Sequence, residues 1–220
     1  MSAGSQVHGQ EGALRAGVLA LGLTLSDGQI GQLLAYLDWI AKWNRVYNLT
    51  AVREAAEMLT HHLLDSLAVI APLNRQRGGR AIRLLDVGSG AGLPGVVIAI
   101  CCPDVQVDCV DTVAKKAAFI QQVAAALRLP NLRGLHARVE SLTEPYDVVS
   151  SRAFASLVDF TAWSRQALGQ GGAWMALKGK HPGDEIVALP ADVKVFHVEP
   201  LVVPGLDAER CVVWMRAAVI

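Results

Sequence analysis

One short stretch limits what this chain can fold into. Residues 84–95 read Leu-Leu-Asp-Val-Gly-Ser-Gly-Ala-Gly-Leu-Pro-Gly. An apolar strand closes on Asp86 and breaks into glycines at 88, 90, 92 and 95. Glycines at alternate positions remove the β-carbons that would keep a ligand off the backbone, and they permit positive φ. Pro94 suits the first turn of a following helix, where a missing N–H costs little. A strand, glycine turn and helix in that order belong at the carboxyl edge of a parallel sheet, where doubly wound folds bind ligands.

The rest of the chain from residue 81 obeys the same grammar. Strand-like runs fall at 83–87, 105–110, 132–136, 146–150, 173–177, 193–198 and 211–215. Helical patterns lie between the early ones, at 94–101, 113–129 and 157–168, with an irregular link at 137–145. Apolar strands joined by helices imply an α/β, Rossmann-like, mostly parallel seven-stranded sheet. The last two runs are separated only by a Pro/Gly loop at 203–209 and so are expected to pair as an antiparallel terminal hairpin. That outline resembles the class I S-adenosylmethionine-dependent methyltransferases. Residues 1–80 read instead as a small helical extension. Ser26 and Gln29 form a capping box ahead of an apolar stripe through Ile30, Leu33, Leu34, Leu37, Ile40 and Ala41. A second helical run at 55–71 is expected to stop at Pro72, and 74–80 to form a linker loop. The expected division is therefore an extension at 1–80 and a methyltransferase domain at 81–220.

The turn is compatible with two cofactors. Residues 90–95 satisfy Gly-x-Gly-x-x-Gly, the dinucleotide fingerprint, so NAD competes. Asp86, two residues before the first glycine, argues for S-adenosylmethionine, whose sulfonium and amino group a carboxylate suits directly or through water, whereas a pyrophosphate would be repelled. Asp111 ends the second strand, where a carboxylate either accepts from ribose hydroxyls or caps the next helix near Thr112. Val139 and Glu140 fall where this fold holds adenine, the first to pack on the ring, with Glu140 or nearby backbone to read its edge. After the fourth strand comes Ser-Ser-Arg-Ala-Phe at 150–154. It has neither the Asn/Asp-Pro-Pro-Tyr/Phe of amino-methylating enzymes nor the Pro-Cys of cytosine C5 enzymes. Arg152 suits a cofactor carboxylate or a phosphate and Phe154 a base, though both also serve as packing residues. Lys178 ends the fifth strand and adds charge where a nucleic acid would approach.

Charge and composition exclude several classes. Twenty basic residues balance twenty acidic ones, which argues against a protein held on nucleic acid by bulk charge. Local clusters remain, with Arg75, Arg77, Arg80 and Arg83 in one segment and Lys42, Arg45 and Arg53 before it. Each reads equally as a solvated face. The four cysteines lack metal-ligand spacing, and His61 and His62 have no further ligands nearby, so no metal is expected. Nothing approaches the length of a membrane span, and no secretory leader is evident, so a cytoplasmic location is expected. Tyr36, Trp39, Trp43 and Tyr47 recur at helical intervals and serve either as core or for stacking on RNA. Asp65 reads as a hydrogen-bond acceptor on a helix surface or between domains.

Seven segments then occur in a telling order: KWNRVYNLTAVRE at 42–54, HHLLDS at 61–66, LLDVGSGAGLPG at 84–95, ARVES at 137–141, SRAFASL at 151–157, ALKGK at 176–180 and LDAER at 206–210. Together they resemble the RsmG (GidB) family, the bacterial 16S ribosomal RNA guanine-N7 methyltransferases, over nearly the whole chain. The resemblance implies S-adenosylmethionine as cofactor and 16S rRNA or the small ribosomal subunit as partner. It implies cofactor contacts at Gly88, Leu93, Val139, Glu140 and Arg152, to which the reading of the turn adds Asp86, Gly90 and Asp111. Phe154 and Lys178 are the candidates for substrate contact. Ser89 and Ala91 stand where many relatives have Thr and Pro, Asp111-Thr112 where Asp-Ser is usual, and His61 where a basic residue is common. Guanine N7 carries no proton, so no acid–base residue is expected, and the chain is expected to act as a monomer. The alternatives are an NAD-dependent oxidoreductase and a non-catalytic RNA-binding assembly factor.

Overall fold

A computed structural model describes residues 3–52 and 54–218, with side chains from residue 9 onward except at position 55. Among them seven strands form one sheet: β1 (Ile82–Val87), β2 (Val105–Asp111), β3 (Leu132–His136), β4 (Tyr146–Arg152), β5 (Leu168–Lys178), β6 (Val193–Pro200) and β7 (Cys211–Ala217). Their order is β3-β2-β1-β4-β5-β7-β6. The first five run parallel, and β7 inserts antiparallel between β5 and β6, which is the terminal hairpin expected. β1 and β4, adjacent at the centre, end side by side, so the order reverses there and the glycine turn sits at the switch point.

Helices α1 (Ala3–Ala20) and α2 (Asp27–Tyr47) precede the sheet. The capping box forms as expected, with the Ser26 hydroxyl accepting from the Gln29 N–H and the Gln29 side chain accepting from the Ser26 N–H. The stripe of α2 buries Ile30, Leu33, Tyr36, Leu37 and Ile40. These belong to the same apolar cluster as β1, β2 and the helix after the glycine turn, so the extension and the sheet share a core. α2 runs antiparallel to α7 (Ala114–Ala126): Trp43 packs edge-on against Phe119 at 5.2 Å, and the Lys115 ammonium lies 5.9 Å from the Tyr47 ring. The far end of α2 thereby reaches the ligand edge of the sheet.

The next region departs from expectation. Helix α3 (Ala55–Met58) widens into a π-helical turn at Leu59–Leu64, resumes as α4 (Asp65–Leu67), and is followed by α5 (Ile70–Arg77). Pro72 therefore does not end a helix. It lies in the first turn of α5, where its missing N–H has no partner to lose. Residues 74–77, expected as loop, complete that helix, which Gly78 ends at φ 59°. The arginines there are held by carboxylates: Arg75 by Glu199, Arg77 by Asp104, and Arg83 by Glu144. Arg77 and Arg83 meet residues just ahead of β2 and β4, at the edge of the sheet opposite the glycine turn, whereas Arg75 meets Glu199 near the carboxyl end of β6, which runs parallel to β5. No helix among the described residues is long and apolar enough to cross a membrane.

Candidate active site

The glycine turn is built from below. Asp86 is fully buried, and its carboxylate accepts from the Gly95 N–H (3.0 Å) at the start of α6 (Gly95–Cys101) and from the Ser150 hydroxyl (2.8 Å) on β4. Burial pushes its pKa up to about 6, against the opposing effect of those two hydrogen bonds. Asp86, read from the sequence as suiting the cofactor's charge directly or through water, fastens β1, β4 and α6 beneath the turn. From the other side, the buried Tyr36 hydroxyl of α2 donates to the Ala91 carbonyl at 2.6 Å. Gly88, Gly90 and Gly92 all take positive φ. A β-carbon at Gly88 would collide with the Phe154 ring and one at Gly92 with Val96. At Gly90 nothing stands within 4 Å, and its bare backbone is open to a ligand. Pro94 occupies the cap position of α6, one residue ahead of the first turn expected.

Two cavities open on this turn and share Gly88 and Ala153. The larger, of about 500 Å³, is walled by Gly88, Gly90 and Leu93 of the turn and by Arg152 and Lys178 from the ends of β4 and β5. Leu49, Thr50, His62 and Asp65 of the N-terminal helical part close its other side. The second, of about 460 Å³, is bounded by Asp111 and Lys116, by Val139 and Glu140 of a short 3₁₀ turn (Val139–Ser141), and by Phe154 and Trp163.

Of the two roles weighed for Asp111, the structure shows the one at the start of the next helix. One carboxylate oxygen accepts from the Val113 N–H (2.9 Å), which caps α7; the other accepts from the Gly90 N–H (3.1 Å) and faces the Lys116 ammonium at 3.4 Å. Val139 is buried and Glu140 exposed. Phe154 lies across Gly88 and meets Trp163 edge-on at 5.8 Å. It therefore lines the second cavity, packed on the turn and on Trp163. Lys178 is not a free cation either: its ammonium donates to both Glu185 oxygens (3.0 and 2.8 Å) and to the Ala155 carbonyl (3.0 Å).

The sequence reading had Asp65 as a hydrogen-bond acceptor on a helix surface or between domains, and missed the two partners with which it organises the larger cavity. Asp65, 5% exposed, receives Arg152 Nη1 on one oxygen and Arg210 Nε on the other, both at 2.8 Å, while Arg152 also donates to the His61 carbonyl at 2.9 Å. Arg210 ends the LDAER segment, and that it meets Asp65 across 145 residues is a product of topology that no local pattern encodes. His62 is buried, and burial with the nearby Arg152 lowers its pKa to about 4, so it is neutral. Beside this cavity Ser89 Oγ is also buried, with no hydrogen-bond partner among the described residues. No cluster of metal-ligating side chains occurs among the described residues.

Comparison with known proteins shows the family of the chain. The family described as GidB, rRNA small subunit methyltransferase G, matches residues 29–213. A curated relative from Acidovorax ebreus (strain TPSY), named Ribosomal RNA small subunit methyltransferase G, is 69% identical over 214 residues, covering 94% of this chain and 95% of its own. One of the same name from Acidovorax sp. (strain JS42) is 68% identical over the same length and shares of each chain. Among solved structures, TrmN from Thermus thermophilus superposes with a TM-score of 0.56 at 20% identity, over 73% of this chain and 53% of that one, a likeness of fold. The glycine turn, the cavities beside it and the helices that close them are thus those of a chain that belongs to the GidB family of rRNA small subunit methyltransferases.

Proposed function

We propose that this chain transfers a methyl group from S-adenosylmethionine to N7 of a guanosine in 16S ribosomal RNA, acting as a monomer in the cytoplasm, where ribosomal particles are its substrate. One observation carries the cofactor reading. The Gly90 N–H, which would meet a pyrophosphate in a dinucleotide enzyme, already donates to the Asp111 carboxylate, itself paired with the Lys116 ammonium, and so is not free for a phosphate oxygen. A carboxylate in that place suits ribose hydroxyls. The open face of Gly90 fits a ligand lying along the turn.

The residues divide the ligand between the two cavities. Asp111 holds the ribose, Val139 packs on adenine, and Glu140 reads its edge. Gly88, Gly90 and Leu93 present bare or apolar turn surface to the methionyl part, whose carboxylate Arg152 receives on the N–H groups that Asp65 and His61 leave free. Asp86 acts through the turn it fastens. Lys178 borders the larger cavity, which receives the substrate base, and Phe154 lines the second, beside the adenosine half of the cofactor. When bound, the cofactor supplies a methyl group on sulfur, the sulfonium taking the electron pair of the breaking bond. The guanine N7 lone pair lies in the ring plane and bears no proton, so no residue has to remove one. What the chain supplies is alignment of N7 with the methyl group and a fixed polar environment. Residues 1–80 contribute the outer wall of the base cavity through Leu49, Thr50 and His62.

Calorimetry with S-adenosylhomocysteine and with NAD tests the cofactor reading. The first is expected to bind with a stoichiometry of one and the second not at all, and Arg152→Ala is expected to weaken the first by about tenfold, the equivalent of a hydrogen bond to a charged group. Binding of NAD instead would overturn it.

A further inference from the structure

The wall of the larger cavity contributed by residues 48–52 is held by an unusually complete set of hydrogen bonds for an irregular segment. Buried Asn44, in the last turns of α2, accepts the Thr50 N–H at 2.9 Å and donates to the Val52 carbonyl at 3.3 Å. The Val52 N–H in turn donates to Thr50 Oγ1 at 3.2 Å, and His62 Nε2 stands 2.8 Å from the same oxygen. Thr50 and His62 both line the cavity. The π-helical turn at Leu59–Leu64 carries His62, a bulge of the kind that recurs at functional sites.

The direction of the Thr50–His62 bond follows from the other ring nitrogen. His62 Nδ1 is buried with no hydrogen bond of acceptable geometry among the described residues, and the backbone oxygen that bears on the ring, the His61 carbonyl, already accepts from Arg152. A proton there would leave an orphaned N–H, the rarer and costlier kind of unsatisfied group, whereas a proton on Nε2 has Thr50 Oγ1 as acceptor. With that tautomer both lone pairs of Thr50 Oγ1 are occupied, one by Val52 N–H and one by His62 Nε2–H. The hydroxyl proton is then the only hydrogen-bonding capacity left, and the cavity is where it can be used.

We propose that Thr50 is a base-reading residue, its hydroxyl donating to O6 of the guanine that enters the larger cavity. This rests on the reading of that cavity as the site of the base. O6 is the acceptor adjacent to N7 on the same edge, whereas adenine carries an amino donor there, so a donor fixed by His62 accepts guanine and opposes adenine. A hydrogen bond to N7 itself would occupy the lone pair that must attack, which leaves O6 as the group to be read. Asn44 and His62 are positioning residues, acting through Thr50.

The test compares Thr50→Val and Thr50→Ser on small ribosomal subunits that lack the modification, with S-adenosylhomocysteine affinity measured alongside. Thr50→Val is expected to lower kcat/KM for the subunit by about tenfold or more, with ligand affinity unchanged, and Thr50→Ser to stay within about threefold of wild type. Wild-type activity in Thr50→Val, equal loss in Thr50→Ser, or a parallel loss of ligand affinity would each overturn the inference. If Thr50→Val does not fold, wild-type enzyme acting on particles with 2-aminopurine at the methylated position decides. That base keeps N7 and lacks O6, so methylation is expected to slow by about tenfold or more, and an unchanged rate overturns the inference. Failure of the underlying reading looks different, because wild-type enzyme would then leave guanosine-containing particles unlabelled.

Discussion

Single residues at this site answer to their surroundings more than to their type. Gly90 and Gly88 both have positive φ in one turn, yet a side chain at Gly88 meets the Phe154 ring and one at Gly90 meets nothing. Gly90→Ala therefore tests the cradle cleanly. Its left-handed backbone is expected to cost about 1–2 kcal/mol of stability, measured by urea unfolding. Affinity for S-adenosylhomocysteine is expected to fall by about tenfold or more, because the added methyl occupies the ligand's face of the turn. Full affinity would place the ligand elsewhere.

Two buried ionisable groups act on stability with opposite signs. Asp86 has its folded pKa raised to about 6, so the folded state holds that proton more tightly than the unfolded chain, and its contribution to stability falls as pH rises from about 4 to 6. His62 has its pKa lowered to about 4, so the unfolded chain takes up that proton first, and its contribution rises with pH from about 4 to 6.5. Each slope is at most about 1.4 kcal/mol per pH unit, and over the shared window they oppose. Unfolding of Asp86→Asn at several pH values should show stability climbing between pH 4 and 6, and that of His62→Gln should show it declining. The same slope in both variants would contradict these assignments.

At the scale of elements, α2 is the part of the extension that reaches into the site. The Tyr36 hydroxyl on the Ala91 carbonyl is a buried bond between a helix and a turn fifty-five residues away. Tyr36→Phe would leave that carbonyl unpaired and is expected to cost about 1–3 kcal/mol in urea unfolding and to weaken S-adenosylhomocysteine binding. Unchanged binding would detach α2 from the turn's function. The strands were legible because apolar runs bounded by turns survive in any tertiary context. Leu132–His136 is found as read, and β1, β2, β4, β6 and β7 differ by one or two residues at an end. β5 begins at Leu168, five residues ahead of its expected start, because glycines at 169, 171 and 172 hid its beginning. Pro72 misled for the opposite reason, since a proline in a first turn and a proline after a last turn look alike in sequence. At the candidate site, Gly88, Gly90, Leu93, Arg152 and Lys178 could be placed from the turn and the strand ends, and the structure brings them to one cavity. Asp65 with Arg210, and Thr50 with His62, are pairings made by the fold and not by spacing.

At the scale of the whole molecule, the Asp65 carboxylate ties three distant parts of the chain: its own short helix α4, the end of β4 through Arg152, and the approach to β7 through Arg210. Removing it leaves two guanidinium groups facing one another at the base cavity. Asp65→Ala is expected to cost about 2–4 kcal/mol of stability, by thermal or urea unfolding, and to reduce methyl transfer more than Arg210→Ala does. Equal stability to wild type would mean that the bridge does not hold these parts together. The neutral net charge fits a small RNA footprint, a nucleotide presented by a folded particle and received in one cavity. The account as a whole stands on one transfer. Purified protein, methyl-labelled S-adenosylmethionine and small ribosomal subunits from a strain lacking this gene should yield label in 16S rRNA, recovered after digestion as 7-methylguanosine. Absence of label from the RNA, or label on any atom other than guanine N7, would contradict it.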